Sequence, residues 1–148
     1  MYQSIVVGTD GSPTAQRAVE EATRLSKALG SELHVVAAYD PVRGVRVEGS
    51  PEGAKAGAAV LPDSEVQTIV DAAAATIRMS GVDVKSHTLT GDPAGAIIAV
   101  AEQEDAGLIV VGSCGMHGVK RVLGSVPNKV AHRARCNVMI VATEGAGV

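Results

Sequence analysis

Glycines at positions 112, 115, 118 and 124, the last followed by Ser125, have the spacing in this chain that points most directly to chemistry. They follow the uninterrupted apolar run from Leu108 to Val111 and precede a helical-looking stretch. Glycine lets backbone N–H groups approach a guest closely, and a helix N-terminus adds unpaired donors at the positive end of its dipole. Between Gly112 and Cys136 there are five Lys or Arg residues and no Asp or Glu. Such a segment fits an anion, above all a phosphate. Glycines at strand and helix ends are also plain punctuation, and the helix start and local positive charge are what favour the anion. No GxxxxGK[ST] sequence is present, so this is not a P-loop and offers no Walker lysine.

Other reactive side chains are scattered. Asp10 stands at the carboxyl end of the first strand, where an acid often hydrogen-bonds its own turn. Lys120 and Arg121 lie inside the glycine segment and are placed to see phosphate; Arg133 and Arg135 read as solvated charge near a helix C-terminus. His34, His87, His117 and His132 share no spacing, and only His117 falls in the glycine segment. Cys114 lies there too, but Cys114 and Cys136 have neither metal spacing nor the makings of a disulfide framework. No Ser/His/Asp elbow, metal cluster or carboxylate pair on one helix face is legible. A phosphate cradle without a base or a water-positioning group binds better than it turns over.

The elements that must position these residues alternate along the chain. Ile5 to Val7 is a first strand, Ser12 an N-cap and Pro13 the first helical position. Ala15, Ala18, Val19, Ala22, Leu25 and Leu29 repeat at helical spacing until Gly30. Leu33 to Tyr39 is a second strand, completing a βαβ unit. Residues 41–62, with four Gly and three Pro, read as a flexible loop. Asp63 or Ser64 then caps a second helix that buries Val66, Ile69, Val70, Ala73 and Ile77, and Val82 to Lys85 alternates like a half-exposed edge strand. Asp92-Pro93 repeats the cap-plus-proline signal before a third helix over Ala94, Ile97, Ile98 and Ala101. Leu108 to Val111 is the fourth strand, a last helix spans Val126 to Ala134, Val138 to Ala142 is a fifth strand, and 143–148 reads as a frayed tail. This is an α/β fold in one domain, residues 1–148, with a parallel sheet and helices on both faces.

Composition narrows the function further. The chain of 148 residues is long enough to bury about two thirds of its unfolded surface. Phe and Trp are absent, so a stacking platform for single-stranded nucleic acid is excluded in practice, and a net charge of -3 argues against a general nucleic-acid binder. No basic, apolar leader opens the sequence and no run approaches the ~20 apolar residues of a membrane span. The reading is of a soluble, cytoplasmic, reduced protein without nucleic-acid or membrane partners.

With its motifs placed, the chain resembles the universal stress protein family over its full length. The resemblance rests on Val6-Val7-Gly8-Thr9-Asp10-Gly11-Ser12, Val110-Val111-Gly112-Ser113, Gly124-Ser125-Val126-Pro127-Asn128-Lys129-Val130 and Val138-Met139-Ile140-Val141. The family's nucleotide-binding members share a G-x2-G-x9-G-[ST] pattern. Gly112, Gly115, Gly124 and Ser125 match it, with eight residues instead of nine between the second and third glycines.

The resemblance implies a Rossmann-like sheet of order 3-2-1-4-5 and an adenine nucleotide, ATP or AMP, bound at the switch point between strands 1 and 4. It also implies roles. Gly112 and Gly115 would let backbone pass beside the ribose and phosphates, and Gly124, Ser125 and Val126 would hold the phosphates. Thr9 and Ala38 would wall or hydrogen-bond the base, with Met116 and Pro127 completing the set. Asp10 would touch adenosine or, indirectly, magnesium. In that order the fifth strand is an edge with no charge or proline inside it, which implies a homodimer through Val138 to Val141. The resulting picture is a nucleotide-binding stress regulator; a slow ATPase or nucleotidyl-transferring enzyme and a nucleotide-free dimeric scaffold are the alternatives.

Overall fold

Ser12 caps the first helix as its residue type leads one to expect, its hydroxyl accepting the Ala15 N–H at 3.1 Å with Pro13 in the first turn. The chain runs β1 (Ser4–Gly8), α1 (Pro13–Leu29), β2 (Glu32–Tyr39), α2 (Leu61–Met79), β3 (Val84–Thr90), α3 (Pro93–Gln103), β4 (Leu108–Gly112), α4 (Ser125–Arg133) and β5 (Asn137–Val141). A computed structural model describes residues 2–39, 61–113 and 123–143, the side chains of 61–63 excepted. Gly30 ends α1 at a φ of 69°, a left-handed conformation that suits a residue without a side chain. Asp92 caps α3, accepting the Gly95 N–H at 3.0 Å.

The five strands are parallel in the order β3-β2-β1-β4-β5. Ile5, Val7, Leu33, Val35 and Val110 point to the face covered by α1 and α2; Val6, Val36, Ile109 and Val111 point to the face covered by α3 and α4. Burial on both faces is why the central strands read as unbroken apolar runs. Among the described residues no helix is long and apolar enough to cross a membrane.

Several expectations differ from the structure. The second helix starts at Leu61, so Asp63 and Ser64 lie inside it and neither is its cap; Pro62 sits in the first turn, where its missing N–H is no loss. The third strand is Val84–Thr90, not Val82–Lys85: Lys85-Ser86-His87-Thr88 breaks the apolar alternation, yet every residue of β3 pairs with β2. Thr143 is buried and bonded to Ser113, so the tail is not frayed at that point. The last helix and last strand each begin one residue earlier than expected. The rest of the expected loop and tail, 41–60 and 144–148, falls outside the described residues.

Gly8 ends β1 against α3. A Cβ there would lie 2.4 Å from Cδ1 and 3.0 Å from Cγ1 of buried Ile97. Gly8→Ala is therefore expected to cost about 1–3 kcal/mol by overpacking, a fall in Tm of several degrees by thermal denaturation. Adding Ile97→Val removes the clashing Cδ1 and should recover part of the loss. A single variant melting like the parent would contradict the close approach.

Candidate functional site

β1 and β4 are hydrogen-bonded neighbours, yet the chain leaves them in opposite directions across the sheet. From β1 it passes through α1 to β2, and from β4 through α4 to β5, with α1 and α4 on opposite faces. Connections that diverge in this way leave a crevice at the carboxyl ends of the two strands.

The turn after β1 is built from its own side chains. Thr9 donates its N–H to Val36 O at 2.9 Å, which ties the turn to β2, while its hydroxyl accepts the Gly11 N–H at 3.1 Å. Asp10 Oδ1 accepts the Ser12 N–H at 2.9 Å. The local role of this acid is thus realised, and among the described residues no donor meets its second oxygen. Gly11, at a φ of 80°, turns the chain beneath Ile69 of α2.

Across the crevice, Gly112 is the last residue of β4. Ser113 N–H donates to Val141 O at 2.8 Å and Gly124 N–H to Ser113 O at 2.9 Å. The Ser113 hydroxyl lies 3.0 Å from the Thr143 hydroxyl and accepts the Thr143 N–H at 3.0 Å. Both ends of the glycine segment are thereby held together at the end of β4. This clasp pairs residues far apart in sequence, so no local signal announced it.

Gly124 is also the N-cap of α4, and no side chain caps that helix. Its own N–H is engaged by Ser113. Pro127, in the first turn, is buried and has no N–H. The donors left at this helix start are the N–H groups of Ser125 and Val126, for which no acceptor is found among the described residues, and the exposed Ser125 hydroxyl. Two amides, a hydroxyl and the positive end of a helix dipole suit one anionic group.

The structure therefore brings Thr9, Asp10, Ala38, Gly112, Gly124, Ser125, Val126 and Pro127 to the carboxyl side of the sheet, Ala38 half-buried near the end of β2. Gly115 and Met116, with Cys114, His117, Lys120 and Arg121, lie outside the described residues. Arg135 is exposed and lies 3.7 Å from Glu102, a pairing worth little in water. Cys136 is half-buried, and burial pushes its thiol up, away from thiolate chemistry.

A second polar cluster lies toward the other end of the strands. His34 of β2 is completely buried and meets His87 of β3, with Glu32 and Glu104 beside it. Burial, with the His34 ring next to it, holds His87 below the ordinary imidazole range despite the nearby Glu104. Sequence spacing could not pair these histidines, because only the register of β2 on β3 does so.

Comparison with known proteins agrees with this geometry. The sequence profile of the universal stress protein family matches residues 1–142. Universal stress protein Rv1636 of Mycobacterium tuberculosis H37Rv is 33% identical, the match covering 96% of this chain and 97% of the relative. A universal stress protein solved in complex with cAMP superposes with a TM-score of 0.74 at 31% identity, over 97% of this chain and 98% of that one. The universal stress protein of Archaeoglobus fulgidus in complex with dAMP does so with a TM-score of 0.65 at 25% identity, over 94% and 97%.

Proposed function

This chain belongs to the universal stress protein family, and we propose that it is a small cytoplasmic regulator that binds ATP or AMP in the crevice at the ends of β1 and β4. The observation that carries this reading is the Ser113–Gly124 tie, which sets an uncapped helix start beside the end of β4 at the switch point of the sheet. The relatives solved with cAMP and dAMP support it, since both ligands join an adenine to a phosphate.

In this reading the Ser125 and Val126 amides and the Ser125 hydroxyl hold phosphate, and Gly124 and Pro127 set the helix start that presents them. Gly112 and Gly115 let backbone pass beside the ribose and phosphates. Thr9, Ala38 and Met116 border the base. Asp10 uses one oxygen in its own turn and keeps the other for adenosine or for a water of a phosphate-bound magnesium, an ion that one or two carboxylates commonly steady. We extend the proposal to a homodimer through the open edge of β5, Val138 to Val141.

Mass spectrometry of small molecules released from freshly purified protein tests the reading: ATP or AMP is the expected product. No released nucleotide, together with no heat on titrating ATP or AMP, would leave the interaction scaffold instead. Phosphate release well above background would favour the slow ATPase.

Ser125→Ala separates phosphate contact from a general effect on the site. It is expected to weaken ATP by about 1–3 kcal/mol, the range for hydrogen bonds involving charge, and adenosine by much less. Calorimetric losses that are equal for the two ligands would place Ser125 away from the phosphates.

A further inference from the structure

β2 and β3 pair in a register that sets His34 opposite Lys85 and Val36 opposite His87. His34 and His87 are therefore diagonal neighbours on the face that α3 crosses, and Glu104, at the C-cap of α3, comes down beside them. His34 Nδ1 stands 2.9 Å from His87 Nε2, and His34 Nε2 lies 3.0 Å from Glu32 Oε1 and 3.9 Å from Glu104 Oε1. One nitrogen or oxygen from each of His34, His87 and Glu104 falls within 4.8 Å of the others.

We propose that His34, His87 and Glu104 form a binding site for a divalent transition-metal ion of the zinc class. The protonation pattern prepares it. Glu32 accepts the proton on His34 Nε2, which leaves a lone pair on Nδ1; the short contact to His87 is then an N–H donated from His87 Nε2. If the His87 proton moves to its own Nδ1, the ring stays neutral and the two imidazole lone pairs face each other. The Glu104 carboxylate, 3.9 Å from the far nitrogen Nε2 of His34, has to swing toward the gap between them to complete the set. Tetrahedral ligation at 2.0–2.1 Å needs the two nitrogens roughly 3.3 Å apart, a small rotation from the separation seen.

The surroundings fit an ion as well. Glu32 binds the far nitrogen of His34 and is itself 3.4 Å from Lys85 Nζ, the carboxylate–histidine arrangement that orients metal-binding imidazoles elsewhere. Three protein ligands leave one position for water. Imidazole with carboxylate selects zinc, cobalt or nickel over magnesium or calcium. The cluster lies toward the amino ends of β2 and β3, whereas the nucleotide crevice opens at the carboxyl ends, so this inference is independent of the proposed function.

The test is titration of the full chain with Zn2+ by calorimetry and with Co2+ by visible absorption, in a non-chelating buffer. One equivalent should bind with a dissociation constant of about micromolar or tighter, and Zn2+ should raise the melting temperature. His87→Ala, at a half-exposed position, and Glu104→Gln, which keeps the shape and drops the charge, should each weaken binding by at least about tenfold; Glu32→Gln should do so by about 10–100-fold. Cys136→Ser should leave it unchanged. No binding to the parent protein, or binding unaltered by both His87→Ala and Glu104→Gln in folded variants, would reduce the cluster to a hydrogen-bond network joining β2, β3 and α3.

Discussion

Gly115→Glu is expected to abolish adenine-nucleotide binding while leaving the fold intact. Gly115 lies two residues beyond Ser113, in a segment whose ends are fastened together by the Gly124 N–H on Ser113 O. In the proposed reading the backbone at Gly115 passes beside the ribose and phosphates, so a side chain at this position would compete with the ligand for space. The carboxylate adds repulsion toward phosphate, and like charges brought together at an interface cost several kcal/mol. At 1.4 kcal/mol per factor of ten, the affinity for ATP or AMP should fall by about a hundredfold or more. Gly115→Ala adds bulk without charge and should lose less. Calorimetry gives the affinities, and far-UV circular dichroism and the melting temperature report the fold. An unaltered affinity in Gly115→Glu would remove the proposed site from this loop.

The parts of this molecule that were legible in the sequence are those decided by neighbours along the chain. Ser12-Pro13, Gly30 and Asp92-Pro93 marked helix ends because capping is a matter of three or four residues, and each cap is made as its residue type implies. The central strands were legible because both of their faces are buried. Strand order was not readable from periodicity; it came through the family resemblance, and the sheet has that order. The extent of β3 is hard to read because an edge strand paired on one side tolerates Ser, Thr, Lys and His, which erase the apolar alternation. The start of α2 was hidden because Pro62 punctuates a loop and opens a helix equally well. Contacts through space were the least legible. The Ser113–Thr143 clasp spans 30 residues and the His34–His87 contact 53, and neither exists until the sheet has aligned them.

The protein is expected to sediment at twice its chain mass, through the edge of β5. This strand pairs with β4 on one side only, and Val138-Met139-Ile140-Val141 carries none of the lysines, prolines or bulges with which natural edges discourage pairing. The opposite edge, β3, does carry a lysine, Lys85. Backbone direction identifies which residues a partner would meet. Ser113 N–H bonds to Val141 O, so Val141 turns its polar groups toward β4; alternate residues do the same, which leaves Val138 and Ile140 to present an N–H and a C=O on the open side. A second copy related by a two-fold axis can satisfy both. Ile140→Lys puts an ammonium on this edge, but Ile140 also packs against the α3–α4 side of the core, so part of its effect falls on the fold. Val138 packs on the same side of the core, but Val138→Pro adds no charge there; it removes an outward N–H and leaves the hydrogen bonds to β4 in place, the position at which edge strands admit proline. Both variants should be folded monomers at tens of micromolar, where micromolar pairs are formed. A parent protein that is monomeric at that concentration, or folded variants that remain dimeric, would refute the edge-to-edge dimer.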